Sequence, residues 1–213
     1  MPIDKNITKV IKCCYKCKTK VLNSIGTYML HMEQNDYKSE IVNELLNNEN
    51  HIRGLAKKLD TNHMTVLRKI KELEKENVVD YKEEGRNKVY FLKKTIEAKS
   101  YAFKTENYKL LKLLNKYPQL RKVVEKIQKN KRIHLAILFG SYAKAIAKQD
   151  SDIDIYIETQ NRKLKQEIQI IDSRLSIKIG KYDKSSLLIK EIEKNHVIIR
   201  GVEEYYEKNK FFG

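Results

Sequence analysis

The segment around residue 140 constrains the fold most, because polar residues stand at the ends of two apolar segments. Residues 133–139 are apolar at six of seven positions, and Gly140 and Ser141 follow directly. Asp152 and Asp154 come next, one residue apart, within a second apolar segment. Short apolar runs of this kind are typical of buried β-strands. The sequence therefore predicts a polar site built on two neighbouring strands.

Gly140 and Ser141 lie between the first predicted strand and a predicted short helix over residues 142–147. A glycine at this point allows the main chain to approach a phosphate group, and the N–H groups that begin a helix attract anions. The Ser141 hydroxyl adds one more hydrogen-bond donor. These two residues are therefore candidates for binding a phosphate.

Asp152 and Asp154 are candidates for binding a metal ion. Side chains alternate between the faces of a strand, so these two carboxylates point the same way and Ile153, Ile155 and Ile157 pack on the other face. Adjacent carboxylates repel each other, and Mg²⁺ is commonly held by one or two carboxylates together with substrate phosphates. The alternative is that Asp152 caps a turn and Asp154 lies at the edge of a sheet.

The combination of Gly-Ser, ten residues and Asp-x-Asp resembles the signature of polymerase-β-type nucleotidyltransferases, and most closely the minimal nucleotidyltransferases of bacteria and archaea. The resemblance implies that Gly140 and Ser141 hold the triphosphate of ATP or another nucleoside triphosphate. It also implies that Asp152 and Asp154 bind Mg²⁺ and act in catalysis. The expected reaction is transfer of AMP to a hydroxyl group of a protein or a small molecule.

The resemblance is close over residues 133–158 and extends more loosely to residue 207. A predicted strand near 174–182, a predicted helix over 185–195 and a strand-like stretch over 197–206 fit the end of such a domain, because many minimal members end in a strand after a helix. Minimal nucleotidyltransferases often act as antitoxins that modify or bind a partner toxin. The resemblance therefore implies a toxin-like partner protein.

Two departures from the family pattern bear on activity. Active members usually carry a third carboxylate on the next strand, and here the expected position falls on Ser176 or Lys178. Neither side chain accepts a proton as an aspartate does at neutral pH, and Asp172 and Asp183 lie at the ends of that strand. The second departure is Ala145, where relatives often have glycine. Two hypotheses stay open: an active enzyme, or a regulator whose domain binds nucleotide or a partner protein without catalysis.

Residues 37–93 show three segments of helical periodicity followed by two short β-segments around Gly85. The second and third helical segments are separated by Asp60-Thr61-Asn62, residue types that favour turns and helix N-caps. The predicted elements are helices over 37–47, 52–59 and 62–76 and strands over 78–82 and 88–92.

This order of elements resembles the winged helix-turn-helix fold. The resemblance implies that the helix over 62–76 enters the major groove of double-stranded DNA, and symmetric dimers are common among such proteins. Glu83 and Glu84 near the tip of the wing argue against its deep insertion into DNA. The alternative is a winged helix used for dimerisation or for contact with another protein. The candidate DNA-binding residues are Asn62, His63, Thr65, Arg68, Lys69, Arg86 and Lys88.

The fold class is therefore α+β with two domains: a winged helix-turn-helix and a mixed-sheet α/β nucleotidyltransferase domain, joined by a helical connector. Residues 95–132 contain 11 basic and 3 acidic residues, half of the net charge of +16. This charge either follows a phosphate backbone or forms a solvated helix face. The predicted segments are an extension over 1–36, the winged helix over 37–94, the connector over 95–131 and the nucleotidyltransferase-like domain over 132–213.

Residues 1–36 have weak patterning and two alternative interpretations. One is a zinc site, because three cysteines and a histidine offer four ligands, and the other is a short helical or disordered leader. Met32 precedes the first strongly patterned segment, so residues 1–31 also fit an upstream extension. The clustered cysteines fit a reducing compartment, and no apolar run is long enough for a membrane span, so the cytoplasm is expected. The candidate zinc ligands are Cys13, Cys14, Cys17 and His31.

Overall fold

The computed structural model describes residues 36–212, so most of the predicted N-terminal extension and its four candidate zinc ligands lie outside the described residues. The chain divides into two compact units, Met1–Tyr37 and Lys38–Gly213, and the fold described here is that of the second unit. In the described part of the chain, no helix has both the length and the apolar character needed to cross a membrane.

The first half of this unit contains three helices and a small antiparallel sheet with strand order β1-β3-β2. The three predicted helices and the hairpin are all present, and Tyr81 pairs with Tyr90 across the hairpin. The two-residue strand β1, which sequence periodicity did not indicate, pairs with β3. The elements are α1 (Tyr37–Asn47), β1 (Asn50–His51), α2 (Ile52–Lys58), α3 (His63–Lys75), β2 (Val79–Glu84) and β3 (Asn87–Leu92).

Local sequence explains where α3 begins and how it packs. The side chain of Asn62 caps the helix, because its Oδ1 accepts a hydrogen bond of 2.8 Å from the Met64 N–H. Val66, Ile70 and Leu73 recur at helical spacing and are fully buried. They join the apolar sides of α1 and α2 and the base of the hairpin in one core. Burial of this stripe fixes which side of α3 faces solvent.

A long helix, α4 (Ile96–Lys116), follows the hairpin and is succeeded by a 3-10 turn (Pro118–Leu120) and α5 (Arg121–Lys129). The Thr95 side chain caps the start of α4, and the helix ends just before Pro118. These helices occupy the predicted connector, and their basic residues are exposed or half-buried. Their apolar sides, however, pack into the hydrophobic cores. The limits of the two domains stay predictions.

The second half of the unit is a four-stranded sheet with strand order β6-β5-β4-β7. Strands β5 and β6 run parallel, whereas β4 is antiparallel to both β5 and β7, so the sheet is mixed as predicted. The elements are β4 (Ala136–Phe139), α6 (Gly140–Ala143), β5 (Ile153–Glu158), α7 (Arg162–Gln169), β6 (Leu175–Gly180), α8 (Leu187–Lys194), β7 (Val197–Arg200) and α9 (Val202–Asn209).

Helices cover both faces of this sheet. Ile153, Ile155 and Ile157 of β5 share one core with the apolar sides of α5 and α7. The other face of the sheet packs against α8 and α9, and Tyr156 of β5 belongs to that core. The alternation of side chains along β5 is therefore the one that the sequence predicted. It leaves Asp154 on the same face of the sheet as Tyr156.

Four details differ from the expectations. Within the strand-like stretch 197–206, only Val197–Arg200 is a strand, and helix α9 begins at Val202 after the left-handed Gly201. The strand predicted over 133–139 is shorter, because only Ala136–Phe139 pairs with neighbouring strands. The short helix predicted over 142–147 is Gly140–Ala143, since a left-handed Gly140 turns the chain into the helix immediately after the strand. Helix α7 (Arg162–Gln169) was not predicted, and its start is capped by the side chain of Asn161.

A close backbone approach joins the last strand to the last helix. Gly201 links β7 to α9 with a φ angle of +84°, and a Cβ atom at this position would lie 2.2 Å from the His134 carbonyl oxygen. Both the left-handed conformation and the missing space require glycine.

We expect Gly201→Ala to lower the free energy of unfolding by about 3 kcal/mol, because a fixed backbone atom must move and the φ angle is strained. The matched control is Gly85→Ala: Gly85 has a φ angle of +63° but nothing lies within 4 Å of its added Cβ. We expect that variant to lose only about 1 kcal/mol. Urea unfolding followed by circular dichroism measures both, and equal losses would contradict the importance of the close approach.

Candidate functional site

Gly140 and Asp154 are brought into contact by the pairing of β4 with β5. The antiparallel register places Phe139 opposite Asp154, so the residue after Phe139 lies beside the carboxylate. A Cβ atom on Gly140 would lie 2.5 Å from Asp154 Oδ2, and the Gly140 φ angle is +72°. Glycine is required here because its hydrogen leaves room for the carboxylate and because the backbone is left-handed.

The remaining predicted site residues lie next to this pair in the chain. Ser141 is half-buried in the first turn of α6, and Asp152 is exposed just before β5 begins. Asp154 is half-buried, whereas Ile153 between the two carboxylates is fully buried. The structure thus groups a glycine-serine turn with carboxylates at the start of the neighbouring strand. The roles of these residues in binding and catalysis stay predictions.

The loop that connects α6 to β5 is held at two points. Ala145 adopts a φ angle of +57°, which explains physically why glycine would suit this position. Its carbonyl oxygen accepts a hydrogen bond of 2.7 Å from Lys116 Nζ. Farther along, Arg174 donates from Nη1 to the carbonyl oxygen of Gln149 at 3.0 Å. These contacts fix the path of the chain between the glycine-serine turn and the two aspartates.

The register of β5 and β6 identifies the residue at the expected third-carboxylate position. Ser176 pairs with Asp154, and Lys178 pairs with Tyr156 in the parallel ladder. The sequence left both positions open, and the structure places the Ser176 hydroxyl in the position nearest to Asp154 along this ladder. Neither residue is a carboxylate.

The two aspartates at the ends of β6 are engaged elsewhere. Asp172 accepts hydrogen bonds from Arg174, at 2.8 Å from Nη2 and 3.1 Å from Nε, and this guanidinium lowers the pKa of the carboxyl. Asp183 accepts from the main-chain N–H and the hydroxyl of Ser185, which lower its pKa as well. Within residues 36–212, no group of three or more Asp, Glu, His or Cys side chains is arranged to hold a metal ion. A metal at this site would therefore rest on Asp152 and Asp154.

A large cavity of about 940 Å³ lies next to α6 in the described unit. Tyr142, Ala143 and Ala145 contribute to its wall, but the predicted phosphate- and metal-binding residues do not. Sequence reasoning missed two other residues of this wall, Glu106 and His196. For Glu106, the signal in the sequence was an acidic residue on the apolar side of an amphipathic helix.

The predicted DNA-binding residues of α3 have different environments. His63 and Arg68 are exposed, whereas Thr65 is half-buried. The side chain of Asn62 is occupied by capping the helix. Lys69 forms an ion pair of 3.0 Å with Glu72. The exposed groups on this side of α3 are therefore those of His63 and Arg68 more than those of Asn62 or Lys69.

The wing carries both signs of charge. Arg86 is exposed in the turn between β2 and β3, and the ammonium group of Lys88 lies 3.7 Å from the centre of the Tyr81 ring. Lys82 forms an ion pair of 3.2 Å with Glu84. The mixed charge fits a wing that lies beside a duplex more than one that inserts deeply.

Comparison with protein families gives one match: residues 121–208 fit the family described as polymerase beta, nucleotidyltransferase. The match begins at the first residue of α5 and covers the whole four-stranded sheet. Comparison with curated protein sequences gives no match.

Several solved structures are similar to parts of the chain. The adhesin competence repressor of Streptococcus pyogenes is 23% identical over 55% of this chain and 84% of its own, with a TM-score of 0.37. The homodimeric winged helix-turn-helix DNA-binding domain Mb0332 of Mycobacterium bovis is 15% identical over 46% and 86%, with a TM-score of 0.30. A toxin-antitoxin crystallised with AMP-PNP is 20% identical over 50% and 80%, also with a TM-score of 0.30.

The order of elements within the described unit and the family match lead to one assignment. The first half has the three helices and the hairpin of a winged helix-turn-helix. The chain therefore combines a winged helix-turn-helix fold with a nucleotidyltransferase domain of the polymerase beta family, at residues 121–208.

Proposed function

We propose that this protein is a DNA-binding nucleotidyltransferase that binds Mg-ATP and transfers AMP to a hydroxyl group of a protein or a small molecule. The observation that carries the proposal is the contact between Gly140 and Asp154, where a turn without a side chain meets a carboxylate. An arrangement of this kind suits a ligand that carries both phosphate groups and a cation.

In this proposal, Gly140 and Ser141 hold the triphosphate. The left-handed Gly140 leaves the main chain open to a phosphate oxygen, and the Ser141 hydroxyl is available as a donor. Short charge-assisted hydrogen bonds from such groups orient the triphosphate and hold the α-phosphorus in place for in-line attack.

The residues present fit a divalent cation. Asp152 and Asp154 project from the start of one strand, and the cradle at Gly140 gives the second carboxylate room. Two carboxylates and the phosphates of the substrate are a usual set of Mg²⁺ ligands. Bound Mg²⁺ would neutralise charge on the phosphates during transfer.

The acceptor hydroxyl would attack the α-phosphorus of ATP, forming a phosphodiester bond to AMP as the bond to the β-phosphate breaks and pyrophosphate leaves. Its proton must leave during attack, and a neighbouring carboxylate commonly accepts it in such reactions. Because Ser176 occupies the position beside Asp154, the described residues offer no third carboxylate there. We therefore expect the transfer of AMP to be slow.

A second candidate function follows from the position of Ser176 beside Asp154. With Ser176 in the register position beside Asp154, the domain would bind nucleotide or a partner protein and regulate without catalysis. The partner proposed from family resemblance is a toxin-like protein. Binding of ATP without transfer to any acceptor would favour this function.

DNA binding is proposed for the exposed side of α3. His63 and Arg68 are exposed there, and the exposed Arg86 and Lys88 extend the basic surface onto the wing. Arginine and lysine at such positions contact phosphates or guanine edges in duplex DNA. A homodimer would present two such helices to one duplex.

We expect Gly140→Ala to weaken Mg-ATP binding by about tenfold or more, because the new methyl group displaces the Asp154 carboxylate and the φ angle is strained. Gly180→Ala is the matched control, since nothing lies within 4 Å of an added Cβ and the residue ends the neighbouring strand β6. Isothermal titration calorimetry measures both variants. Equal affinity in the two would remove Gly140 from the proposed site.

We expect Asp152→Asn to reduce label transfer from labelled ATP by about 100-fold, because an amide neither neutralises nor binds a divalent cation as a carboxylate does. Asp150→Asn is the control, because this neighbouring carboxylate is also exposed. The assay contains Mg²⁺ and extract of the cells as the source of acceptor. Undiminished label transfer by the Asp152→Asn variant would contradict a catalytic role of Asp152.

We expect Arg68→Ala to weaken binding to duplex DNA from the protein's own promoter region by about 1–3 kcal/mol, because an exposed guanidinium of α3 is lost. Lys163→Ala removes one positive charge from α7, outside the winged helix, and serves as the control. Fluorescence anisotropy at two salt concentrations measures both. Unchanged affinity for Arg68→Ala would remove α3 from the proposed interface.

A further inference from the structure

The cavity of about 940 Å³ is bordered by α1 and α4 on one side and by α6, α8 and α9 on the other. It therefore touches a helix of the winged helix-turn-helix and three helices of the nucleotidyltransferase domain. None of Gly140, Ser141, Asp152 and Asp154 contributes to its wall. The cavity is thus lined by other residues than the proposed nucleotide site, but the two are neighbours, because Tyr142 and Ala143 follow Ser141 in α6.

Buried polar atoms without a hydrogen-bond partner concentrate at this cavity. In the described part of the chain there are three such side-chain atoms: Glu106 Oε2, Tyr142 Oη and His196 Nε2. All three residues contribute to the wall of the same cavity. Buried polar groups in folded proteins are nearly always paired, because an unpaired one costs about 1–3 kcal/mol. Their concentration at one cavity makes this wall a candidate for binding a polar molecule.

Glu106 is held in position with one oxygen still able to accept a hydrogen bond. The side chain is only 2% exposed. Its Oε1 accepts from the Tyr206 hydroxyl at 3.2 Å and from Lys109 Nζ at 3.0 Å. Its Oε2 lies 2.8 Å from Lys109 Nζ, an ion pair without hydrogen-bond geometry. A carboxylate fixed in this way is a ready acceptor for an amine or hydroxyl group of a ligand.

His196 offers a second acceptor. Burial lowers its pKa to about 4, and the charge of Lys109 acts in the same direction, so the ring is neutral at pH 7. Its Nε2 is a buried ring nitrogen without a hydrogen-bond partner among the described residues. The ring centre lies 4.8 Å from that of Tyr205, which belongs to the same wall. An aromatic surface therefore adjoins the two acceptors.

The described residues of the cavity wall include five lysines and three glutamates, so the wall has a net positive charge. Lys116 Nζ donates to the main-chain oxygen of Ala145 at 2.7 Å, and Lys184 Nζ donates to that of Asn209 at 3.2 Å. Both lysines contribute to the wall. Main-chain oxygens are neutral, so these ammonium groups attract an anion.

We propose that this cavity binds a small organic anion that has an aromatic ring and a hydrogen-bond donor such as an amine or hydroxyl group. The donor group meets Glu106 and His196, the ring packs beside Tyr205, and the anionic group lies near Lys116 and Lys184. Because the wall includes residues of α1 as well as α8 and α9, the bound anion contacts both folds and links their packing.

The test uses the full chain and the probe 1-anilinonaphthalene-8-sulfonate, an aromatic anion with an N–H donor. Fluorescence titration and calorimetry should give one site per chain. The double variant Lys116→Gln/Lys184→Gln should weaken binding of the anionic probe about tenfold or more, because two charge-assisted contacts are lost. The Lys126→Gln/Lys163→Gln pair removes the same charge from exposed positions outside the cavity and should leave affinity unchanged.

A neutral analogue and one further variant complete the experiment. N-phenyl-1-naphthylamine has the same rings and N–H but no sulfonate, so it should bind more weakly and be insensitive to the Lys116 and Lys184 changes. His196→Phe keeps a ring but removes the acceptor, and it should weaken the anionic probe too. Thermal unfolding shows whether the His196→Phe protein is folded. If this variant is unstable, the comparison of the two double lysine variants tests the proposal without it. Equal weakening by both lysine pairs, or several probe molecules per chain unaffected by any variant, would overturn the proposal.

Discussion

Helix α4 contributes to the cores on both sides of the described unit, and this shared burial holds the two folds together. Ala98 packs with the winged helix, whereas Leu110 and Leu113 pack under the four-stranded sheet. Between them, Thr105 and Glu106 are buried polar residues. Apolar side chains near the start and in the last third of the helix are buried in different cores, so the two folds cannot separate without exposing one of these groups.

The same packing decides what the candidate site can do. Burial of both faces of the sheet fixes the register of its strands, because a slip of one residue would move every isoleucine of β5 to the wrong face. With that register set, Asp154 lies against Gly140 on one side and beside Ser176 on the other. The glycine-serine turn and the two carboxylates are thus combined with Ser176 at the neighbouring register position.

Much of the fold could be predicted from the sequence. The limits of α1 agree with the helical periodicity, and α3 begins where Asn62 can cap it. The Gly-Ser and Asp-x-Asp motifs indicated the family that the match over residues 121–208 bears out. Helix α7 and strand β1 were not predicted, because α7 has only two buried apolar residues, Leu164 and Ile168, and β1 is only two residues long.

The sequence by itself determined the type of each long element and which residue types stand at the candidate site, because periodicity, caps and turn residues act over a few positions. Only the tertiary structure decided that Ser176 and not Lys178 stands beside Asp154, since strand register depends on burial of both faces of the sheet. The tertiary structure also brought Glu106, Tyr142 and His196 to one cavity, because such contacts join residues far apart in the chain. Packing between distant segments cannot be deduced from local patterns.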